Sequence, residues 1–404
     1  MNTENVWYKR SGIVSWAIFL ATLVVVLITL TTAIFPALVL RTMGGVEDYS
    51  AINPFEIGIW AYPLLITNFI ILGIVILYFK NKIPQPVIKS VRFILNFEVS
   101  ANVASLVIII LLGLYVVFTV PELSTKEPWP DYYRGVKPML EKWTINDITK
   151  GFDLHVRYFL ITTSMNVFSN YKVIPFIASL ALLVLTYLIT TEISKKRLAG
   201  TVSVVIVLQS GTFLTYDTSI TYDNFWTLFY LLSLYIIYKK WPLSPISFIL
   251  SLFSKQLTAI FLPMTLFFVY RTSISKQKKI LLTITYGIVI IIGIIAVIGG
   301  KFGIGTTAFE SHDFWMAFNA ISYQLRYDGL VLAFLLPLTV GLFALRKKVA
   351  HADSIMVLIM GMLLSQPVTA AFTNQLSEPY RFMPLIVFFA IGVGIILSKK
   401  VKPT

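Results

Sequence analysis

The sequence predicts an all-α polytopic membrane protein of about twelve transmembrane helices, some of them short. Three observations predict it. Of 404 residues, 57% are hydrophobic and 13% charged, whereas a soluble domain carries about a quarter charged residues. Long uncharged apolar runs recur from end to end, and they are continuous rather than alternating, as helices require and barrel strands do not. The basic clusters between the runs fall on one side of an alternating topology, as cytoplasmic loops do.

Taken in order, the spans fall near 12–40, 57–79, 93–120, 173–193, 198–215, 223–238, 243–254, 257–270, 280–298, 330–345, 353–372 and 382–398. The first run is much longer than a signal-peptide core and has no small-residue cleavage pattern, so it reads as a retained span. The clusters "KNKIPQPVIKSVR", "SKKR", "RTSISKQKK" and "SKKVK" and their counterparts place 21 of the 33 Lys and Arg on one side. The opposite side takes 15 of the 19 acids. Both termini are therefore expected in the cytoplasm, and the acid-bearing loops outside or in a lumen. The same reading accounts for the net charge of +14 through basic loops, without a nucleic-acid partner.

The parity of the topology requires "PLSPISFILSLFSKQLTAIFLPMTLFFVYR" to cross twice, as two short helices meeting near Lys255. Each is shorter than the ~20 residues of a full span. Their meeting point must therefore lie within protein or beside water, because an open backbone in lipid is costly. This predicts a hydrated recess on the outer side with Lys255 near its floor; the other reading is one long kinked helix with Lys255 snorkelling.

Two outer loops are long, 121–172 and 299–329. In the first, "DYYRGVKPMLEKW" places Tyr132, Tyr133, Val136, Met139, Leu140 and Trp143 at helical spacing, and "HVRYFLITTSMNVF" (155–168) is a second amphipathic candidate. Both suit helices at the membrane surface, with Pro138 bending or weakening the first. Ionisable residues near outer span ends are costly unless paired or wet, so they are candidate site residues. They are Asp131, His155, Arg157, Asp217, Asp223, Lys255 and Arg381. Lys255, Arg381 and Arg157 suit a phosphate, and Asp131 suits a general base on an incoming hydroxyl. Each residue taken alone also reads as a structural ion pair or a solvated loop charge.

The chain has no cysteine, which excludes disulfides and thiolate chemistry. It lacks GxxxxGK[ST], GxGxxG and any zinc-like histidine spacing. No cofactor is expected, and no residue pattern indicates a divalent metal. An activated donor would then arrive through the membrane.

In the order of these features the chain resembles the GT-C superfamily of integral-membrane glycosyltransferases, which includes dolichyl-phosphate-mannose–protein mannosyltransferases and aminoarabinose lipid A transferases. The stretches that carry the likeness are "DLHVRYFLITTSMNVF", "TYDNFWTLFYLLSLYIIYKK", "SLFSKQLTAIFLPMTLFFVYR" and "EPYRFMPLIVFFAIGVG". The likeness spans roughly 93–400, so 1–92 reads as two additional N-terminal helices and 93–404 as the GT-C-like core. The resemblance implies an inverting, mannosyltransferase-like hexosyl transfer from a polyprenyl-phosphate sugar to a protein, lipid or glycan hydroxyl on the non-cytoplasmic side. It implies that Asp131 is the base and Asp223 the second acid. Lys255 and Arg381 would hold the donor phosphate, and His155, Arg157, Tyr132 and Asp217 would line the cavity. Loop 299–329, with Trp315 and Tyr323, would cover it. The family pattern is altered at Tyr132, Val156 and Arg157, and Asp48 in the first outer loop is an alternative base. Two other functions remain open: a transporter or lipid flippase, and a non-catalytic subunit with a degenerate transferase fold.

Overall fold

A computed structural model describes residues 12–38, 53–150, 154–298, 308–347, 349, 351–373 and 378–398. The alternative base Asp48, and residues 299–307 of the second outer loop, lie outside them. The described chain is helical, and no strand occurs among the described residues. Six helices are long and apolar enough to cross a membrane, or up to seven if the pair Ser311–Tyr327 and Gly329–Leu345, bent by 114°, counts as one span. The protein is therefore an integral, multi-pass membrane protein. The helices Arg197–Leu208 and Gln256–Arg271 are apolar but shorter.

The chain divides into two units. The first comprises residues 1–101, 190–203 and 306–404. It holds α1 (Gly12–Ile34), α2 (Ala61–Phe79) and α3 (Gln85–Asn96). The span expected at 93–120 is corrected here. Asn96, Glu98 and Ser100 interrupt the apolar run, so the chain forms α3, an extended stretch and then a separate helix, α4 (Ala101–Thr119).

The second unit comprises residues 102–189 and 204–305. After α4 come a π-helical turn Tyr132–Val136, α5 (Lys137–Lys142), α6 (His155–Phe168) and α7 (Val173–Ser194), whose end from Thr190, with the start of the next helix to Ser203, belongs to the first unit. The run expected as one span at 198–215 is two helices, α8 (Arg197–Leu208) and α9 (Gly211–Tyr216). The Ser210 side chain accepts the Phe213 N–H and starts the second, as an N-cap serine does. The unit closes with α10 (Phe225–Lys240), α11 (Ser244–Ser254), α12 (Leu262–Arg271) and α13 (Lys276–Ile298).

Returning to the first unit, α14 (Ser311–Gln324), α15 (Gly329–Leu345), α16 (Ala352–Thr373) and α17 (Met383–Ile396) complete it. Its centre is α16 and α17, where Ile355, Ile359, Leu363 and Leu385 through Val387 are fully buried. Polar side chains fasten α1 to this core: Ser15 donates to Asp353 at 2.7 Å and Thr22 to the Met356 carbonyl at 3.4 Å. At Gly394 the backbones come so close that a Cβ would meet Thr190 Cγ2 at 2.6 Å and the Ala199 carbonyl at 2.7 Å. Close approach over a small residue is how helices pack where lipid removes the hydrophobic drive.

In the second unit, serines perform the same task. Ser244, Ser247 and Ser251 of α11 donate to the carbonyls of Ser233, Phe229 and Trp226 of α10. The descending partner numbers make the two helices antiparallel. The chain leaves α11 through Lys255, whose backbone is extended (φ −157°, ψ 119°). It then forms a 3-10 segment, Gln256–Phe261, and enters α12. Phe261 meets Trp226 and Tyr230, Thr265 bonds Tyr230, and Phe268 meets Tyr238. These partner numbers ascend, so α12 runs parallel to α10 and the chain reverses at Lys255. The short-helix pair expected from the sequence is present, with Lys255 at its apex beside the start of α10.

The helices of loop 121–172 are present but differ from a surface-lying pair. Val136 and Leu140 are buried in one cluster with Tyr158, Ile161, Ala178, Ile220 and Phe225, with Tyr132 and Trp143 packed against it, while Tyr133 and Met139 are exposed. Four of the six residues of the expected stripe therefore face the second unit's core rather than headgroups. Burial of such a side chain contributes about 1.5–3 kcal/mol, which holds a helix too short to form alone. Pro138 falls in the first turn of α5, where a missing N–H costs nothing.

Candidate functional site

The short connection Asp217–Asn224 organises one end of the second unit, and a buried carboxylate and a largely buried guanidinium hold its backbone. Glu127, 5% exposed, accepts from Ser219 Oγ at 2.6 Å and from the Thr221 N–H at 3.2 Å. Arg157, on the first turn of α6, donates to the Ile220 carbonyl at 2.9 Å and also to that of Thr221. A carboxylate on the N–H groups and a guanidinium on the carbonyls leave this turn little freedom.

Asp223 ends the turn. Its Oδ2 is 2.7 Å from Arg157 Nε, and its Oδ1 accepts the N–H of Phe225, the first residue of α10, at 3.3 Å. Burial pushes its carboxyl above the usual range, against the pull of Arg157 and then Lys255. Lys255 thus reaches Asp223 electrostatically, and its ammonium lies 5.5 Å from the centre of the Trp226 ring, a cation–π distance. His155 is buried; its Nδ1 accepts from Trp143 Nε1 at 3.4 Å, and its ring faces Phe253 of α11. The structure therefore brings Arg157, Asp223 and Lys255 together at this turn, with His155 two residues before Arg157 on α6.

Asp131 stands on the same turn from the outside. It is exposed, and its Oδ2 accepts the Tyr222 hydroxyl at 2.6 Å. Trp129, Tyr216 and Tyr222 stand beside it with ring centres 5.1–5.5 Å apart. The same unit has an open cavity of about 390 Å³, lined in part by Lys126, Glu127, Tyr132, Tyr133, Asn170 and Lys172. Lys172 is 5% exposed; its ammonium donates to the Glu122 carbonyl and Thr125 Oγ1 and lies 4.0 Å from Glu127. Tyr132 is among the residues that line this cavity, whereas His155, Arg157 and Asp217 are not among them.

Asp217 begins the turn and is 2% exposed. Its backbone carbonyl accepts from Ser179 Oγ at 2.7 Å and its Oδ2 from Thr119 at 3.4 Å. Burial first, and Glu122 nearby, raise its carboxyl to about 7. A group with a raised folded-state value favours folding when protonated, and that contribution falls as pH rises from about 4 to about 7. The melting temperature of the wild type in detergent should fall through this window relative to Asp217→Asn, by the equivalent of up to about 4 kcal/mol. Parallel profiles for the two proteins would exclude a protonated Asp217.

Arg381 belongs to the first unit, in the 3-10 turn Pro379–Phe382, with Nε 3.4 Å from Tyr380 Oη. Its membership of the site rests on sequence order. Trp315 and Tyr323 are on α14, also in the first unit; Trp315 packs on Phe314 and Phe318, and Tyr323 is exposed under the Arg326 guanidinium. Among the described residues no three His, Cys, Asp or Glu side chains are arranged to hold a metal ion.

The sequence reading missed Glu127, Lys172, Trp129 and Tyr222. None of the four lies in a motif, and their partners are distant in sequence. The one available signal was the density of "EPWPDYY", where an acid, a tryptophan and a second acid fall within five residues. No protein-family model matches the chain, and no curated protein or solved structure matches it.

Proposed function

We propose that this protein is a membrane glycosyltransferase of the GT-C type that moves a sugar from a polyprenyl-phosphate donor to an acceptor hydroxyl on the non-cytoplasmic side. One observation carries the reading. An exposed carboxylate, Asp131, is held by Tyr222 on the same rigid turn whose Asp223 meets Arg157 and Lys255. An exposed base together with cations is the combination that transfer from a phosphate leaving group needs.

In this reading the chain crosses the bilayer twelve times, the short helices included, with both termini cytoplasmic. The donor headgroup lies over the apex at Lys255, and its lipid tail stays between helices. Asp131 takes the proton of the acceptor hydroxyl. The acceptor oxygen bonds to the anomeric carbon from the face opposite the phosphate, the carbon–oxygen bond to phosphate breaks, and the electron pair leaves with the polyprenyl phosphate. The configuration inverts. Lys255 neutralises the leaving phosphate. Asp223 positions Arg157 and the turn. Trp129, Tyr216 and Tyr222 offer ring faces to a sugar, and the open cavity admits the acceptor: the end of a glycan, a peptide or a lipid headgroup.

The test is transfer of radiolabel from a polyprenyl-phosphate hexose to added acceptors by purified protein in proteoliposomes. Label in the acceptor supports the reading. Movement of the labelled lipid between leaflets without transfer assigns a flippase instead, and neither outcome assigns a non-catalytic subunit.

A further inference from the structure

We propose that α3 is an in-plane membrane helix that binds anionic phospholipid headgroups on the face of the bilayer where the basic loops lie. The helix has twelve residues, QPVIKSVRFILN, and none of them is buried. At 100° per residue, Val87, Ile88, Val91, Ile94 and Leu95 share one side, and Gln85, Lys89, Arg92 and Asn96 the other. Val87, Val91 and Ile94 are each about half exposed, at 49%, 49% and 53%. A water-exposed helix with so open an apolar side would be marginal at this length; an interface with hydrocarbon on one side and water on the other satisfies both faces.

Position argues for the bilayer rather than another partner. Lys80–Pro84 link α3 to α2, and Phe97–Ser100 link it to α4. Both neighbours are candidate spans, and linkers of five and four residues hold α3 within about 18 Å of their ends. The exit from α2 is sharp: Asn81 is left-handed (φ 54°) and the Lys82 N–H bonds the Leu77 carbonyl at 2.9 Å, a glycine-type helix stop. The far end of α3 is anchored. Lys196, 2% exposed, donates to the Leu95 carbonyl at 2.9 Å, and the Arg197 N–H bonds Glu98. The helix is thus fixed in place with its apolar side open.

Charge selects the lipid. Residues 80–97 contain Lys80, Lys82, Lys89 and Arg92 and no acid. Each base near an anionic surface is worth about 1 kcal/mol, or about fivefold in binding. Neutral headgroups offer no such gain.

The chain lacks cysteine, so single cysteines can report on α3 in the full-length protein. Val91→Cys and Gln85→Cys are each labelled with an environment-sensitive fluorophore in nanodiscs of phosphatidylcholine with phosphatidylglycerol. The Val91 position should be several-fold less accessible to an aqueous quencher than the Gln85 position. Phosphatidylglycerol retained by the protein, counted by mass spectrometry, should fall about fivefold for each charge removed in Lys89→Gln and Arg92→Gln, both on exposed residues. Equal quenching at the two labelled positions overturns the proposal, as does unchanged phosphatidylglycerol retention in the double variant. Neither readout depends on sugar transfer.

Discussion

Asp131→Asn should lower the turnover of sugar transfer by about 10²–10⁴-fold, the usual contribution of a positioned general base, with little change in KM for the lipid donor. The expectation follows from geometry. Asp131 is an exposed carboxylate at the turn, and its hydrogen bond from Tyr222 holds it in place without burying it. The amide keeps the shape and the bond from Tyr222 but accepts no proton. Tyr222→Phe should cost less, because it frees the carboxylate without removing it. Steady-state rates on reconstituted protein decide the matter; unchanged turnover in Asp131→Asn removes it from the role of base.

The second large effect falls on stability. Arg157→Gln should destabilise the protein by about 3–5 kcal/mol, because it leaves the Asp223 carboxylate buried without its cation. It also removes the donors to the Ile220 and Thr221 carbonyls. The pH dependence has a definite sign. Without Arg157 the Asp223 carboxyl is raised further, so the variant keeps most stability at acid pH and loses it as pH rises. Asp223→Asn added to Arg157→Gln should recover part of the loss, since the stranded charge disappears. Thermal unfolding of the two single variants and the double variant measures this coupling. Simple additivity would show that the two side chains do not act as a pair.

Legibility in the sequence followed chemistry that is local along the chain. The reversal at Lys255 was legible because a lysine interrupts an apolar stretch too short to span twice as full helices and too long for one. The α6 boundaries were legible because His155 and Phe168 bound a polar-apolar repeat flanked by "GFDL" and "SNY". The break between α3 and α4 was not, since "VRFILNFEVSANVASL" keeps its apolar character across the join and only three polar residues mark it. The stripe from Tyr132 to Trp143 gave the helical period but not the partner: periodicity cannot tell a lipid-facing side from one packed on Ile161 and Phe225. Nor could local reading pair Arg157 with Asp223, or Glu127 with the 219–221 backbone. Those contacts join segments far apart in sequence, and a charged residue looks alike in a loop whether it is solvated or clamps a turn.

Everything proposed for catalysis turns on whether a lipid phosphate sits at the apex formed by α11 and α12. An experimental structure with a phosphonate analogue of a polyprenyl-phosphate hexose, in which the scissile oxygen is replaced by carbon, tests this most directly. The predicted result is the phosphonate within about 4 Å of Lys255 Nζ, an ion-pair distance. The Asp131 carboxylate should stand on the opposite side of the anomeric carbon, with room for one hydroxyl between them. A phosphonate bound away from Lys255, or a sugar that leaves Asp131 out of reach of any attacking hydroxyl, would contradict the account.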